Sequence, residues 1–230
     1  MSNTETYQNI RKTLPENVTL LAVSKTHPEE AIMDLYNIGC RDFGENKVQE
    51  LTQKYNDLPK DIRWHQIGHL QTNKIKYIIP FVYMIHSVDS LKLAVEINKQ
   101  AAKHNRVVNC LLQLKVACEE TKFGFDSSEI VELMEQGAFR ELKNIRICGL
   151  MGMATNTTDK DEIRNEFLEV NALFNRIKAN YASEVGEGFA QISMGMSGDY
   201  PLAVECGSTI VRIGTILFGE RDYSKKEDKA

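Results

Sequence analysis

The feature that most constrains this chain is a regular alternation of short apolar runs with longer segments of helical periodicity. Apolar runs of about 4–8 residues, rich in β-branched side chains, are typical of buried strands. Strands that alternate with amphipathic helices form parallel β-α-β units. The eight candidate strands are VTLLAVSK from Val18, CRDFGEN from Cys40, IRWHQIG from Ile62, VYMIHSV from Val82, VVNCLLQLKV from Val107, IRICGLMGM from Ile145, FAQISMGMS from Phe189 and TIVRIGT from Thr209.

Eight such units in a chain of 230 residues predict a closed (β/α)8 TIM barrel, an α/β fold whose usual length is about 250 residues. The alternative is a doubly wound open sheet, which usually carries G-x-G-x-x-G after its first strand. That motif is absent from the sequence. Because no linker or shift in composition marks a boundary, we expect one domain over residues 1–230, with its motif-bearing core at about 18–220.

Two helix starts carry recognisable signals. Asp126 precedes Glu129, and Thr158 precedes Asp161, at the three-residue spacing of a capping box. The segment after Thr158 is long and amphipathic, so we expect its apolar side chains to face the barrel. These side chains are Ile163, Phe167, Val170, Phe174 and Ile177.

Composition and charge exclude several classes of partner. A net charge of −4 and a pI near 5.8 argue against binding to nucleic acid or to an anionic membrane. The longest apolar stretch, residues 77–85, is broken by Pro80 and falls short of the roughly 20 residues that span a bilayer. The polar start, MSNTETYQNIRK, has no secretory signal pattern. We therefore expect a cytoplasmic protein, with free thiols at Cys40, Cys110, Cys118, Cys148 and Cys206.

A lysine ends the first predicted strand. Strand periodicity places Leu21, Val23 and Lys25 on one side, and barrel active sites lie at the carboxyl ends of the strands. One interpretation is a lysine whose stem is buried and whose ammonium reaches solvent. The other is a partly desolvated amine with a lowered pKa, able to attack a carbonyl and form a Schiff base.

The last two predicted strands carry the features of a phosphate site. The segments SMGMSGD and VRIGT end strands seven and eight, where barrels commonly bind phosphate. Gly214 permits a close approach of the backbone, while Thr215 and Ser193 offer hydroxyl groups. The alternative is that these glycines only turn the chain between elements.

Arg212 lies two residues before the glycine of VRIGT, so it faces the barrel axis. A buried arginine must be paired. Its partner could be a carboxylate such as Glu45 or Glu205, or a hydrogen-bond acceptor on a ligand, because arginine only donates. A Schiff-base lysine, a phosphate site and an inward arginine together describe a site for pyridoxal 5′-phosphate (PLP).

Several ordered motifs are similar to those of one known family, the pyridoxal-phosphate homeostasis proteins of the YggS/PROSC type. The resemblance runs from about Val18 to Glu220. It implies a PLP-binding barrel of fold type III, the alanine-racemase-like barrel without its second domain. The motifs are LLAVSK, FGENKVQE, WHQIGHLQTNK, SVDS, TKFG, GLMGMA, SMGMSGD and VRIGTILFGE.

The resemblance also implies residue roles. By it, Lys25 carries PLP covalently as an aldimine, Arg212 faces the pyridine nitrogen, and Asn46 lies beside the ring. His27 and Cys206 stand at positions that we expect to vary. The residues implied to hold the phosphate are Ser193, Gly214 and Thr215.

The segment HQIGH places His65 and His69 four residues apart, like the zinc ligands of H-E-x-x-H. Gln66 replaces the glutamate base, and the apolar run favours a strand over a helix, so we predict no metal. We expect His65 at the barrel mouth near the ligand. Met194 is among the methionines typical of pliable packing, and we predict that it contacts the cofactor.

An arginine at the pyridine nitrogen disfavours protonation of the ring, which makes PLP a poorer electron sink. This alone does not exclude racemisation, because alanine racemase, which this chain resembles in fold, uses such an arginine. In the similar alanine racemase, one acid/base group comes from a second domain of the partner subunit. Here the barrel takes up the whole chain, so we expect an open cofactor face and a monomer. The resemblance implies a carrier that buffers PLP, delivers it to apo-enzymes and keeps vitamin B6 and linked amino-acid pools in balance. The alternatives are a low-activity PLP-dependent racemase or decarboxylase and a PLP-free barrel enzyme of the aldolase type.

Overall fold

The computed structural model describes residues 2–116 and 123–220. Eight strands form a closed barrel in sequential order, all neighbours are parallel, and the last strand pairs with the first. The predicted (β/α)8 barrel is confirmed, and each strand lies within its predicted run. The strands are β1 Thr19–Val23, β2 Asp42–Glu45, β3 Arg63–Gln66, β4 Met84–Val88, β5 Val108–Gln113, β6 Ile145–Met151, β7 Gln191–Ser193 and β8 Ile210–Ile213.

Helices follow the strands and cover the outside of the barrel. Within the described ranges, none is long and apolar enough to cross a membrane. The α-helices are α1 Asn3–Thr13, α2 Glu29–Asn37, α3 Val48–Asp57, α4 Ile75–Ile78, α5 Leu91–Lys103, α6 Ser127–Glu135, α7 Lys160–Asn180, α8 Ala182–Val185, α9 Tyr200–Glu205 and α10 Thr215–Phe218, with a 3-10 turn at Thr72–Lys74.

The two predicted helix starts are close to those observed. Asp126 immediately precedes α6, as expected, but its side chain makes no capping hydrogen bond, so the predicted capping box is not formed. The start of α7 differs by one residue, because Asp159 rather than Thr158 accepts the hydrogen bonds from the backbone N–H groups of Asp161 and Glu162. The apolar face predicted for α7 is confirmed, since all five of its named side chains are buried.

Apolar side chains form two layers. The larger fills the space between the strands and the helices and includes Phe43 and Trp64. The smaller lies inside the barrel. The thiols described in the structure are free and buried, at Cys40, Cys110, Cys148 and Cys206, whereas Cys118 lies outside the described residues. The inner apolar cluster consists of Leu21, Met84, Leu111, Cys148, Met151 and Ile210.

A buried ion pair joins β2 to α3. The ammonium of Lys54 lies 2.8 Å from Oε1 of Glu45 and 2.8 Å from Oε1 of Glu50. Both Lys54 and Glu45 are buried. Burial raises the pKa of Glu45 to about 7, although the nearby lysine opposes that shift. A charge placed here depends on its partner, because the surroundings cannot solvate it.

The same carboxylates anchor the chain that follows β1. The hydroxyl of Ser24 donates to Oε1 of Glu45 at 2.6 Å, and its carbonyl accepts from the lysine ammonium at 2.8 Å. The backbone N–H of Thr26 donates to Oε1 of Glu50 at 2.6 Å. Thr26 has φ of 69°, a left-handed conformation that β-branched residues rarely adopt. Lys25 therefore lies between two anchored residues.

Replacing Lys54 with methionine should destabilise the protein in a pH-dependent way. Without the cation, the pKa of Glu45 rises further above its ordinary value of 4.5, so the folded state holds the proton more tightly than the unfolded state. Stability must then fall as pH rises. We expect the free energy of unfolding to drop by about 3–5 kcal/mol at about pH 8.5, and by less at about pH 6.

Urea denaturation at both pH values measures this change. Lys99→Met is the matched control, because its ammonium is largely exposed and lies 3.9 Å from Glu96. We expect that variant to change stability by less than about 0.5 kcal/mol. A loss in Lys54→Met that is equal at the two pH values contradicts the assignment.

Candidate functional site

A cavity of about 460 Å³ opens at the carboxyl ends of the strands. Its volume falls in the range of about 300–1,000 Å³ that is typical of small-molecule sites. The wall combines residues at the ends of β1, β2, β3, β5 and β6 with residues from the loops after β7 and β8. This is the end of a (β/α)8 barrel at which active sites lie.

Lys25 lies just beyond the end of β1 and lines the cavity. Leu21 belongs to the apolar cluster inside the barrel, and Val23 lines the same cavity as the lysine. The predicted alternation is therefore confirmed: these residues share the inner side. Lys25 is partly buried and forms part of the cavity wall.

Asn46, directly after β2, also lines the cavity. Its carbonyl accepts a hydrogen bond from Nε2 of Gln66 at 2.9 Å, and the same nitrogen donates to the carbonyl of Gly68 at 3.0 Å. A Cβ atom on Gly68 would lie 2.6 Å from the carbonyl oxygen of Asn46. Only glycine permits so close an approach of the two backbones. The contact holds the loops after β2 and β3 together beside the cavity.

Arg212 on β8 is buried, yet it lines the cavity. Its Nη1 donates to the carbonyl and to the hydroxyl of Ser193 at 2.7 and 2.8 Å, and Nη2 donates to the carbonyl of Gly152 at 3.1 Å. Burial lowers the pKa of Arg212 to about 10, which still leaves the guanidinium charged at neutral pH.

The two carboxylates proposed as partners of this arginine are engaged elsewhere. Glu45 pairs with Lys54 at 2.8 Å, and Glu205 pairs with Arg164 at 2.7 Å. Within residues 2–116 and 123–220, Arg212 forms no ion pair. The guanidinium of Arg212 is therefore held by neutral oxygens, and its remaining N–H groups can donate hydrogen bonds to an acceptor in the cavity.

Two loops form a small cradle at one side of the cavity. Gly214 and Thr215 follow β8, and Ser197 and Gly198 belong to the loop after β7. A Cβ atom on Gly198 would meet no atom within 4 Å, so this part of the backbone faces open space. The predicted residues Gly214 and Thr215 are thus on the cavity wall, and Ser197 is an addition.

The structure does not bring Ser193 or Met194 to this wall. Ser193 is the last residue of β7, and its hydroxyl is buried inside the barrel against Arg212. Met194 is buried in the layer between strands and helices. Ser197 belongs to the same SMGMSGD segment, and the position of the strand end decides which serine reaches the cavity.

His65 is also absent from the wall. It is buried on β3, and its ring contacts His86 and Asp42 inside the barrel, so the expected place at the mouth is corrected. His69 lines the cavity instead, with Nδ1 2.9 Å from Oδ2 of Asp89 and its ring stacked on Phe123 at 3.7 Å. The two histidines of HQIGH therefore lie in different places, His65 inside the barrel and His69 on the cavity wall.

The donors in the cavity form a mixed set. It contains a primary amine at Lys25, a guanidinium at Arg212, and hydroxyl and backbone groups at Ser197 and Thr215. Such a set is complementary to a ligand that carries a carbonyl group, an anionic group and a further hydrogen-bond acceptor. PLP has all three, so the residues present fit this cofactor.

Comparison with known proteins gives relatives along nearly the whole chain. The profile of the family described as alanine racemase, N-terminal domain, matches residues 3–222. The pyridoxal phosphate homeostasis protein of Aquifex aeolicus is 43% identical over 205 residues, which cover 89% of this chain and 87% of that protein. The Synechocystis protein of the same name is 38% identical over 96% of this chain and 100% of its own.

Solved structures that are similar to this chain point to the same family. PipY of Synechococcus elongatus, determined with PLP bound, superposes with a TM-score of 0.86 at 35% identity, covering 95% of this chain and 100% of PipY. Alanine racemase from Clostridium difficile has a TM-score of 0.75 at 16% identity, over 95% of this chain and 56% of the racemase, and shows the fold alone. This chain therefore belongs to the pyridoxal phosphate homeostasis protein family, within the larger family of alanine racemase N-terminal domains.

Proposed function

We propose that this protein binds PLP through Lys25, carries and buffers it, and thereby maintains intracellular vitamin B6 homeostasis. The observation that carries the proposal is the convergence of Lys25, Arg212 and the two-loop cradle on one cavity. The names of the relatives and the PLP in PipY support it.

The residues of the cavity divide the work of holding the cofactor. Bound PLP supplies an aldehyde that reacts with amines and a ring that can withdraw electrons. Lys25 is the amine for the aldehyde carbon. Ser197, Gly214 and Thr215 hold the phosphate, and Arg212 donates a hydrogen bond to the ring nitrogen.

A carrier role suits this chemistry better than robust catalysis. A guanidinium only donates, so the ring nitrogen beside Arg212 stays unprotonated and the ring withdraws electrons weakly. We propose further that the protein acts in the cytoplasm as a monomer and passes PLP to apo-enzymes. A weak racemase or decarboxylase activity is the second candidate, because the fold is also that of alanine racemase.

Lys25→Ala should remove the covalent link to the cofactor. After incubation with PLP and reduction with borohydride, we expect the added mass on the peptide with Lys25 in the wild type and no added mass in the variant. Affinity should fall by at least about tenfold, or 1.4 kcal/mol, because only the cradle and Arg212 remain. Lys47→Ala is the control, since Lys47 is exposed outside this cavity. Trapping at the wild-type level in Lys25→Ala contradicts the assignment.

Ser197→Ala should weaken the binding of PLP but not that of pyridoxal, which lacks the phosphate. Hydrogen bonds to charged groups contribute about 1.5–3 kcal/mol, so the PLP affinity should fall by roughly tenfold or more. Ser193→Ala is the matched control, because that hydroxyl faces the barrel interior, and it should leave the ratio of the two affinities unchanged. Fluorescence titration with both ligands measures the ratio. The cradle is misassigned if Ser193→Ala changes the ratio and Ser197→Ala does not.

Hydrogen exchange distinguishes the carrier from the enzyme. We expect the holo-protein in deuterated water to exchange the Cα hydrogen of amino acids no faster than free PLP does, as followed by proton NMR. Lys25→Ala and free PLP provide the two reference rates. Exchange or decarboxylation that is clearly faster than free PLP and depends on Lys25 would support the enzyme instead.

A further inference from the structure

A series of hydrogen-bonded polar groups, all buried except Asp42 at its far end, runs through the barrel interior below the cavity. Nη1 of Arg212 lies 2.8 Å from Oγ of Ser193, and that oxygen lies 2.9 Å from Nδ1 of His86. Nε2 of His86 lies 2.9 Å from Nδ1 of His65. The last contact of this series joins Nε2 of His65 to Oδ1 of Asp42 at 3.2 Å. Four strands, β2, β3, β4 and β7, thus connect to the arginine on β8.

The far end of this series carries a fixed negative charge. Asp42 begins β2, and Nε and Nη2 of Arg63 contact its two oxygens at 2.7 and 2.5 Å. Burial opposes ionisation, but the hydrogen bonds from Arg63 and His65 outweigh it and lower the pKa of Asp42 to about 2. At neutral pH this group is a carboxylate, which only accepts hydrogen bonds.

That carboxylate determines where each hydrogen lies when both rings are neutral. Nε2 of His65 must donate to Asp42, so Nδ1 of the same ring accepts. Nε2 of His86 then donates to His65, and Nδ1 of His86 accepts from the hydroxyl of Ser193. Burial holds the pKa of His86 well below 6.5, which agrees with a neutral ring. The hydroxyl oxygen is left to accept from Arg212, so every donor points toward Asp42.

We propose that His65 and His86 are positioning residues for the cofactor arginine: they orient the hydroxyl of Ser193, which fixes Arg212 with its free N–H groups toward the cavity. This inference rests on the proposed binding of PLP. A polar chain of this kind is not needed to fill space, because apolar side chains fill the rest of the inner cluster. Its satisfied hydrogen bonds give Arg212 one orientation, as the supporting groups of a binding site must.

The tautomers of His65 and His86 test this positioning role in the apo-protein, without any cofactor. Long-range proton–nitrogen NMR spectra of the apo-protein should show His65 and His86 each protonated at Nε2 alone. In Asp42→Ala, the ring-nitrogen signals of His86 should also move, although of the two histidines only His65 contacts Asp42. A wild-type His86 protonated at Nδ1, or His86 signals that stay fixed in Asp42→Ala, would overturn the proposal.

Cofactor binding gives the second readout. His86→Leu removes the acceptor, so the affinity for PLP and for pyridoxal should fall alike by about tenfold, and the absorption maximum of bound PLP should shift. His86→Asn places an amide oxygen near the position of Nδ1 and should restore both. If His86→Leu does not fold, Ser193→Ala is the smaller change to test, and it should lower both affinities in the same way. Folded variants with wild-type affinity and spectrum would show a merely structural role.

These outcomes are separate from those of the proposed function. If the wild type takes up no PLP on Lys25, the carrier proposal fails while the tautomer measurement on the apo-protein still stands. If Lys25 is modified in the wild type and in His86→Leu alike, but affinity and spectrum are unchanged, only the positioning role fails.

Discussion

The pairing of β1 with β8 is the interaction on which the site depends. In this parallel ladder Leu21 lies opposite Arg212, and Ala22 lies opposite Ile213. Closure brings the first and last strands side by side with their carboxyl ends at the same rim. Lys25 and Thr215, far apart in sequence, consequently line one cavity. An open sheet with the same strand order would leave the two strands at opposite edges, and Lys25 would not face the cradle.

The polar groups around the cavity are organised by buried contacts that do not themselves reach it. On the outside of the sheet, Glu45 and Lys54 hold Ser24 and Glu50 holds Thr26, so the residues on both sides of Lys25 are anchored. On the inside, the chain that begins at Asp42 supports Arg212. Both arrangements place charge in a poorly solvating interior, where an unpaired group is costly. The cavity residues are therefore held before any ligand arrives, which lowers the cost of ordering them on binding.

Much of the fold and part of the site were predictable from local sequence. The eight strands and the apolar face of α7 follow from periodicity, and the inward direction of Lys25 and Arg212 follows from strand alternation. Prediction was less successful where a strand ends. Ser193 and Ser197 lie in one segment, and only the end of β7 at Ser193 decides that the later serine reaches the cavity. Nothing in HQIGH announces that His65 turns inward to another histidine, because that partner lies on the next strand.

The sequence by itself determined the class of fold, the side of the strand on which Lys25 lies, and the position of a glycine-rich segment after the last strand. These depend on the pattern of neighbouring residues, and the chain's local geometry is sufficient to read them. Tertiary structure alone decided that Glu45 and Glu205 pair with other cations and that Arg212 is held by uncharged oxygens. Pairing of buried charges depends on distances between strands and helices that meet only when the barrel closes, and no local pattern encodes those distances.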